Sequence, residues 1–137
     1  FGKEQPKYIT IKLKDEDKIF GLDRVTKDKH IYVVEGPLDS LFLDNCIAVA
    51  GADVPQLDCD FTVIFDNEPR NKEIISRMEK VIDNDWNICI WPDSVACKDL
   101  NDMVLASIQE SRIIDIININ TYNGLLAKTE LASWRKK

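Results

Sequence analysis

The sequence has few of the residues that build metal sites from nitrogen and sulfur ligands. It contains one histidine, His30, and four cysteines that never occur as a CxxC pair. Structural zinc sites draw close ligands from such pairs, so the pattern argues against a zinc site of that kind. Cys46 and Cys89 lie inside apolar runs, where a thiol packs as a small hydrophobic side chain. We therefore expect no zinc in this chain and a reducing compartment as its setting.

Long apolar segments are also missing. No stretch approaches the roughly 18 residues that a membrane-spanning helix needs. The first residues, FGKEQPK, lack the basic and apolar regions of a signal peptide. We therefore expect no membrane partner. Because the sequence does not begin with Met, we also expect it to be part of a longer protein.

Positive charge is in short supply. The chain has 18 Lys and Arg against 24 Asp and Glu, a net charge of −6 over 137 residues. An acidic domain does not bind nucleic acid through its overall charge. Such binding would need divalent cations held by clustered acids, or a basic surface from another part of the protein. Hydrophobic residues make up 45% of the chain, which is enough for the core of one domain.

The first part of the chain has the pattern of a β-hairpin. Residues 8–13, YITIKL, alternate polar and apolar side chains with the period of a half-buried strand. Residues 19–25, IFGLDRV, follow a charged turn and are predicted to return as the second strand. Residues 1–28 are therefore treated as an N-terminal β-hairpin that precedes the rest of the chain.

Continuous apolar runs alternate with helical segments after residue 29. The runs are HIYVVEG (30–36), CIAVAG (46–51), FTVIFD (61–66) and NICIWPD (87–93). Strands without polar alternation are typical of parallel sheets that are buried on both faces. Helices are predicted at 38–43, 71–84 and 99–109 from the spacing of apolar residues. Residues 29–120 are thus predicted to form an α/β domain, a right-handed βαβ succession with helices flanking a parallel sheet.

The end of the chain is less regular. Residues 112–120, RIIDIININ, are rich in isoleucine and are interpreted as one more strand. Residues 125–137 are predicted to form a terminal helix, and residues 121–137 are treated as a C-terminal helical tail. Trp134 and the three basic residues after it are interpreted as a frayed end.

Acidic residues follow three of these apolar runs. Glu35 ends the first, Asp66 and Glu68 follow the third, and Asp99 and Asp102 open the helix after the fourth. The carboxyl ends of parallel strands meet at one edge of a sheet, so these carboxylates are predicted to converge. Clustered acids need a counter-cation, and oxygen ligands suit Mg²⁺ or Mn²⁺. Such ions serve in phosphoryl transfer.

Each acid taken alone has a simpler explanation. Asp39, Asp99 and Asp102 suit the first turns of helices, where carboxylates cap free amide groups. Residues 66–69, DNEP, have the composition of an ordinary turn. The combination and order of the acids favour a site over these alternatives.

The order EGxxD after the first strand, DxE after a later strand and KDxND before a helix resembles the Toprim domain. That domain is shared by DnaG-type primases, topoisomerases, nucleases of the OLD family and recombination mediators. The resemblance covers residues 29–108, and it implies that the predicted hairpin in residues 1–28 is the end of a preceding subdomain. Four phrases are most similar to the primases of T-even-like bacteriophages: IFGLDRV, VEGPLDSLFL, IFDNEPRNKEI and KDLNDMVL.

The resemblance assigns roles to individual residues. Glu35 matches the Toprim glutamate and Asp39 the second acid of that motif, so both are expected to be catalytic. Asp66, Glu68 and Asp99 match the metal-binding acids, and Glu68 stands where a second aspartate is usual. The resemblance implies Mg²⁺ or Mn²⁺ as the cofactor.

Further residues beside these acids are expected to assist them. Gly36 supports the turn next to Glu35, and Asn101 and Asp102 support the third motif, where many relatives have another aspartate in place of Asn101. Arg70, Lys72 and Lys98 are candidate phosphate contacts because of their position beside the acids.

The resemblance implies a nucleotidyltransferase, a DNA primase that makes short RNA primers during DNA replication. Its implied partners are a single-stranded DNA template, ribonucleoside triphosphates and a replicative helicase. Its implied location is the cytoplasm, that of the host if a phage encodes it. We expect this stretch alone to be inactive, because it contains neither a zinc module nor a basic groove.

Two alternatives within the same resemblance stay open. A metal-dependent nuclease uses the same acids, and a non-catalytic module that binds DNA or protein could carry the Glu68 and Asn101 departures. A topoisomerase is disfavoured because no residue has the setting of its nucleophilic tyrosine. A receiver domain of a response regulator has strand-end acids too, but its pattern does not include the EGxxD glutamate.

Overall fold

The computed structural model describes residues 19–137, which form a five-stranded sheet covered by helices on both faces. The strands are β1 (Ile31–Val34), β2 (Cys46–Ala48), β3 (Phe61–Ile64), β4 (Asn87–Cys89) and β5 (Thr121–Tyr122). The helices are α1 (Pro37–Ser40), α2 (Lys72–Asp83), α3 (Leu100–Leu105), α4 (Glu110–Ile119) and α5 (Gly124–Trp134). The predicted α/β fold with a largely parallel sheet is confirmed.

The sheet has the strand order β2-β1-β3-β4-β5. The first four strands are parallel, and β5 runs antiparallel to β4 at the edge. The chain reverses direction across the sheet after β2, so β1 and β3 are adjacent at the centre. In sheets of this kind the crevice at the carboxyl ends of such central strands is where ligands bind.

Side chains alternate between two cores, as the two-residue period of a strand requires. In β1, Ile31 and Val33 pack with α2 and α5, whereas Tyr32 and Val34 pack with α3 and α4. Because both sides of the strand meet apolar side chains, all four residues are buried. This explains why the sequence shows continuous apolar runs instead of alternation.

Helix α2 agrees with the predicted helix to within one residue at each end. It begins after Asn71, whose side-chain oxygen accepts hydrogen bonds from the backbone N–H groups of Glu73 and Ile74. This N-cap satisfies two amide groups that have no partner within the helix. The predicted helix at 99–109 is shorter in the structure, where α3 ends at Leu105.

The prediction of a strand at residues 19–25 is wrong. This segment contributes one antiparallel bridge, between Phe20 and Ala48, and then forms a 3-10 helix at Leu22–Arg24. Gly21 adopts a left-handed conformation with φ of 88°, which ends the extended pairing. The other predicted strand of the hairpin, residues 8–13, lies outside the described residues.

The prediction of a strand at residues 112–120 is also wrong, because α4 occupies this stretch. Ile113 and Ile117 are fully buried and lie four residues apart, on one face of the helix. The high β-propensity of isoleucine favoured a strand, but packing of this face against the sheet outweighs that preference.

The last 17 residues are integrated into the fold. Thr121 and Tyr122 form β5, and α5 packs against α2 on the same face of the sheet. The predicted terminal helix is confirmed. The prediction of a frayed end at Trp134 is wrong, since this side chain is only 2% exposed. Within residues 19–137, no helix combines the length and apolar character that a membrane span requires.

Candidate metal centre

Asp39 reaches the sheet edge from α1, which starts directly after β1. The Gly36-Pro37 turn places Pro37 in the first turn of this helix, where its missing N–H costs no hydrogen bond. Asp39 is buried, and its Oδ1 accepts a hydrogen bond of 3.0 Å from the backbone N–H of Asn101. The carboxylate therefore links α1 to the first turn of α3.

Asp66 and Asp99 follow the ends of β3 and β4. Asp66 lies two residues after β3 and is partly buried. Asp99 is the N-cap of α3, and its Oδ1 accepts a hydrogen bond of 2.8 Å from the backbone N–H of Asp102. Asp99 thus caps a helix, as the simpler explanation proposed, and also faces the other acids. Asp102 itself is exposed.

Asp39, Asp66 and Asp99 come together in one group. One carboxylate oxygen from each lies within 4.8 Å of the other two. Burial, followed by the charges of Asp39, Asp99 and Glu68, raises the pKa of Asp66 to about 6. Burial also raises the pKa of Asp39, although its hydrogen bond from Asn101 partly opposes this effect. The three carboxylates therefore lie close together where they are partly shielded from water.

Glu68 and Lys98 lie beside this group. Lys98 Nζ is 3.7 Å from Glu68 Oε1, and the charge of Lys98 lowers the pKa of Asp66 in part. Asn71 donates a weak hydrogen bond of 3.4 Å to the other oxygen of Glu68. Glu68 contributes to the field at Asp66 but is not one of the three converging carboxylates.

Glu35 is not one of the three converging acids and has partners of its own. Its Oε1 forms an ion pair with Arg77 of α2, and its Oε2 accepts a hydrogen bond of 2.5 Å from the backbone N–H of Gly51. Arg77 also donates to the carbonyl oxygen of Ala52 at 2.5 Å. The glutamate side chain is 28% exposed, so one side of it faces solvent. It has a fixed orientation and an ion-pair partner within the chain.

The other predicted residues take varied positions. The backbone N–H of Asn101 donates to Asp39, a contact that does not involve the Asn101 side chain. A Cβ at position 36 would lie 3.4 Å from Asp39 Oδ2, an ordinary contact distance, so glycine is not required there to make room for that carboxylate. Arg70 donates to the backbone carbonyl of Lys137 at 3.2 Å and Lys72 is exposed at the start of α2. Only Lys98, of the three predicted basic residues, interacts with an acid of the site.

The donor set of the three aspartates fits a hard divalent cation. All the converging atoms are carboxylate oxygens, and Lys98, whose charge acts on Asp66, is paired with Glu68. Mg²⁺ binds oxygen ligands at about 2.1 Å, so oxygens that share one ion lie no more than about 4.2 Å apart. A spacing within 4.8 Å requires only a small side-chain adjustment to meet that limit. The residues present therefore suit Mg²⁺ or Mn²⁺.

Sequence reasoning missed Arg77 and Asn67. Arg77 lies three residues after Ile74 and four before Val81, so it occupies the apolar stripe of α2. A cation at such a position is a detectable sign of a buried partner. Asn67 appeared only as part of a turn, yet its side chain connects three segments of the site. No local pattern indicates these contacts.

Comparison with known proteins relates this chain to a protein of DNA replication. No family model matches the chain. The chain is 39% identical over 145 residues to a protein described as DNA primase, from Enterobacteria phage T4. The similarity covers 98% of this chain and 41% of that protein, so the chain spans about two fifths of its relative.

Proposed function

Because this chain is a primase-related region, we propose that it is the Toprim catalytic part of a DNA primase. In this role it joins ribonucleotides on a single-stranded DNA template as a nucleotidyltransferase. The convergence of Asp39, Asp66 and Asp99 is the observation that carries the proposal. A primase needs a divalent-cation site at the point where a hydroxyl attacks a phosphate, and this group supplies suitable ligands.

Asp39, Asp66 and Asp99 are the residues that would hold Mg²⁺, with Glu68 beside them. When bound, the ion would lower the pKa of the attacking 3′-hydroxyl and offset charge on the triphosphate. Asp39 and Asp99 are already oriented by backbone N–H groups of α3, at Asn101 and Asp102. The site is therefore organised before any ligand arrives, which reduces the cost of ordering it.

Glu35, which follows β1 and pairs with Arg77, is the proposed acid–base residue of the reaction. The 3′-oxygen forms a bond to the α-phosphorus, the bond to pyrophosphate breaks, and the hydroxyl proton passes to an acceptor. Each oxygen of Glu35 accepts one hydrogen bond, from Arg77 and from Gly51. An ionised carboxylate oxygen has two lone pairs, so each keeps one for a proton or a bridging water.

The negative net charge of this chain bears on how a DNA template would be bound. With a net charge of −6, it does not attract a template strand through its overall field. We propose that basic surface from the remainder of a primase, together with bound cations, provides that attraction. A replicative helicase and ribonucleoside triphosphates complete the proposed set of partners, and the host cytoplasm is the proposed location.

Paramagnetic broadening by Mn²⁺ tests the metal site in the 137-residue chain. In ¹⁵N-labelled protein, substoichiometric Mn²⁺ is expected to broaden first the amides near Asp39, Asp66 and Asp99. The Asp66→Asn variant should lose this selective broadening, and Asp115→Asn, an exposed acid on α4, should keep it. Weak and scattered broadening in the unmodified chain would contradict a metal site and favour a non-catalytic module.

Nucleotide incorporation tests the reaction in the longer polypeptide that carries this region. Primer synthesis on single-stranded DNA should require Mg²⁺ and should fall by at least about a hundredfold in Asp66→Asn, as expected for loss of a metal-binding group in the active site. Asp115→Asn is again the matched control. Metal-dependent cleavage of a labelled strand without nucleotides, with no primer synthesis, would instead identify a nuclease.

A further inference from the structure

Asn67, between the two acids of the DxE turn, makes four hydrogen bonds to other segments. Its backbone N–H donates to the carbonyl oxygen of Lys98 at 2.6 Å. Its side-chain Nδ2 donates to the carbonyl oxygens of Val95 and Cys97 at 3.0 and 3.2 Å. Its Oδ1 accepts from the indole Nε1 of Trp134 at 3.0 Å. One residue thus joins the turn after β3 to the loop before α3 and to the end of α5.

These bonds help to hold the loop before α3, together with a hydrogen bond from the Ile90 N–H to the Asn120 carbonyl at 3.0 Å and one from Trp91 Nε1 to the Phe65 carbonyl at 2.8 Å. Residues 90–99 belong to no helix or strand, so no ladder of backbone hydrogen bonds holds them. Three of the bonds from Asn67 end in this loop, at Val95, Cys97 and Lys98. Asp99 is the next residue after Lys98. The separation of Asp66 and Asp99 is therefore set across Asn67, which is adjacent to the first and bonded beside the second.

Trp134 also forms a hydrogen bond with the side chain of Asn67. It is the last residue of α5, is only 2% exposed, and belongs to the core between α2 and the sheet. Its indole N–H has a single proton to donate and directs it to Asn67 Oδ1. This hydrogen bond determines which way the amide group faces, and hence leaves Nδ2 towards the loop. A residue 67 positions away in the chain thereby orients the amide beside Asp66.

We propose that Asn67 and Trp134 form a positioning pair that sets the spacing of the acid group and its affinity for divalent cations. The inference rests on the proposed function, since it assumes that Asp66 and Asp99 hold such an ion. Partners behind metal ligands change metal affinity by about 10–100-fold when they are removed, because they fix ligand orientation. The helix α5 covers the sheet and, through the hydrogen bond from Trp134 to Asn67, also helps to position the metal ligands.

The test compares Mn²⁺ affinity and thermal unfolding in four variants of the 137-residue chain. Asn67→Ala removes the three side-chain bonds, and Trp134→Phe removes the indole donor but keeps an aromatic ring in the core. Asn123→Ala is the matched control, because Asn123 joins the start of α5 to Asn87 at the other end of β4. The double variant Asn67→Ala/Trp134→Phe tests whether the two residues act through one connection.

We expect Asn67→Ala to weaken Mn²⁺ binding by about tenfold or more, and Trp134→Phe by a smaller factor. The double variant should bind Mn²⁺ about as weakly as Asn67→Ala alone, since the connection is already lost. Asn123→Ala should keep the affinity of the unmodified chain, whatever it does to the melting temperature. Affinities are measured by calorimetry well below each melting temperature, so a lower stability does not imitate weaker binding.

Three results would overturn the inference, and they differ in whether the metal site is overturned as well. If the unmodified chain binds Mn²⁺ and Asn67→Ala binds it equally well, the positioning role is wrong while the metal site stands. If the unmodified chain binds no Mn²⁺, both the metal site and the positioning role are wrong. Equal losses in Asn123→Ala and Asn67→Ala would show that the effect is general loosening of α5, which also contradicts the proposal.

Discussion

Arg77 of α2 and Glu35 at the end of β1 form an ion pair that is largely shielded from solvent. Their side chains are 17% and 28% exposed, and Arg77 also lies over the ring of Phe65 at 5.5 Å. The pair joins a helix to a strand end across 42 positions of sequence. Together with Gly51 it fixes the orientation of the glutamate, because the Arg77 guanidinium donates to one carboxylate oxygen and the N–H of Gly51 donates to the other.

Replacing Arg77 should destabilise the fold more than loss of a surface ion pair would. Arg77→Met keeps much of the apolar stem but leaves Glu35 and the carbonyl of Ala52 without this donor. We expect a loss of about 1–3 kcal/mol in the free energy of unfolding, the usual cost of leaving partly buried polar groups unpaired. Urea denaturation at pH 7 measures this value.

The pair between Arg135 and Glu79 provides the control for this prediction. Its nitrogen and oxygen are 3.4 Å apart, and the two side chains are 45% and 52% exposed. Arg135→Met should change the free energy of unfolding by only about 0–1 kcal/mol. A similar small change in Arg77→Met would contradict a structural role for the pair with Glu35.

Without divalent cations, Asp66 should make the fold less stable as the pH rises from about 4 to about 7. Its pKa is raised from 3.8 to about 6 in the folded state, so in this interval the folded state holds a proton that the unfolded state has lost. Stability falls with pH wherever the folded state binds more protons. Because Asp66 is only partly buried, solvent screening reduces the effect to about 1 kcal/mol.

The variant Asp66→Asn isolates this contribution. It should be more stable than the unmodified chain by about 1 kcal/mol at pH 8 and nearly equal to it at pH 3.5. Urea denaturation in the presence of a chelator at both pH values measures the two differences. A difference that does not change with pH would show that the carboxyl of Asp66 titrates normally.

Asp99→Asn should separate the capping role of Asp99 from its proposed metal role. Asparagine caps helices about as well as aspartate, so stability without metal should change by less than about 0.5 kcal/mol. If Mg²⁺ binds only the folded state, a free Mg²⁺ concentration of ten times the Kd should stabilise the unmodified chain by about 1.4 kcal/mol. Thermal unfolding with and without Mg²⁺ should show this gain in the unmodified chain and little of it in the variant.

Asp99→Ala is the comparison for that experiment. It should lose about 1 kcal/mol without metal, because the cap on α3 is gone, and should also lose the gain from Mg²⁺. If Asp99→Asn retains the full gain from Mg²⁺, Asp99 is a cap and nothing more.

The four cysteines should differ in their reactivity towards iodoacetamide. Burial raises the pKa of Cys46 to about 12, and it also raises the pKa of the fully buried Cys89. The thiolate is the reactive form, so both should be alkylated more than about tenfold more slowly than Cys97 at pH 8. Mass spectrometry of peptides after timed alkylation measures the rates, and in denaturant all four should react alike. Rapid labelling of Cys89 in the folded chain would contradict its place in the core.

Local pattern was sufficient for the elements in which the arrangement of apolar residues is characteristic of a strand or of a helix. The central strands are apolar on both faces, and α2 repeats its apolar residues at helical spacing, so both could be predicted from short windows. The prediction that the strand-end acids converge had a different basis, because parallel strands bring their carboxyl ends to one edge of the sheet. The prediction for residues 112–120 was wrong because isoleucine favours strands, whereas the four-residue spacing of the buried Ile113 and Ile117 suits a helix.

The sequence by itself determined the parallel α/β sheet and the presence of acids at its carboxyl edge. Only the tertiary structure decided that Asp39 joins Asp66 and Asp99, while Glu35 pairs with Arg77. The same holds for the bond from Trp134 to Asn67. These choices depend on side chains that are far apart in the chain and meet only when helices pack on the sheet. Hydrophobic periodicity shows which side of a helix packs on the sheet. The partner of each polar side chain depends instead on how the packed helices and strands are rotated and spaced relative to one another, and a short stretch of sequence does not contain that information.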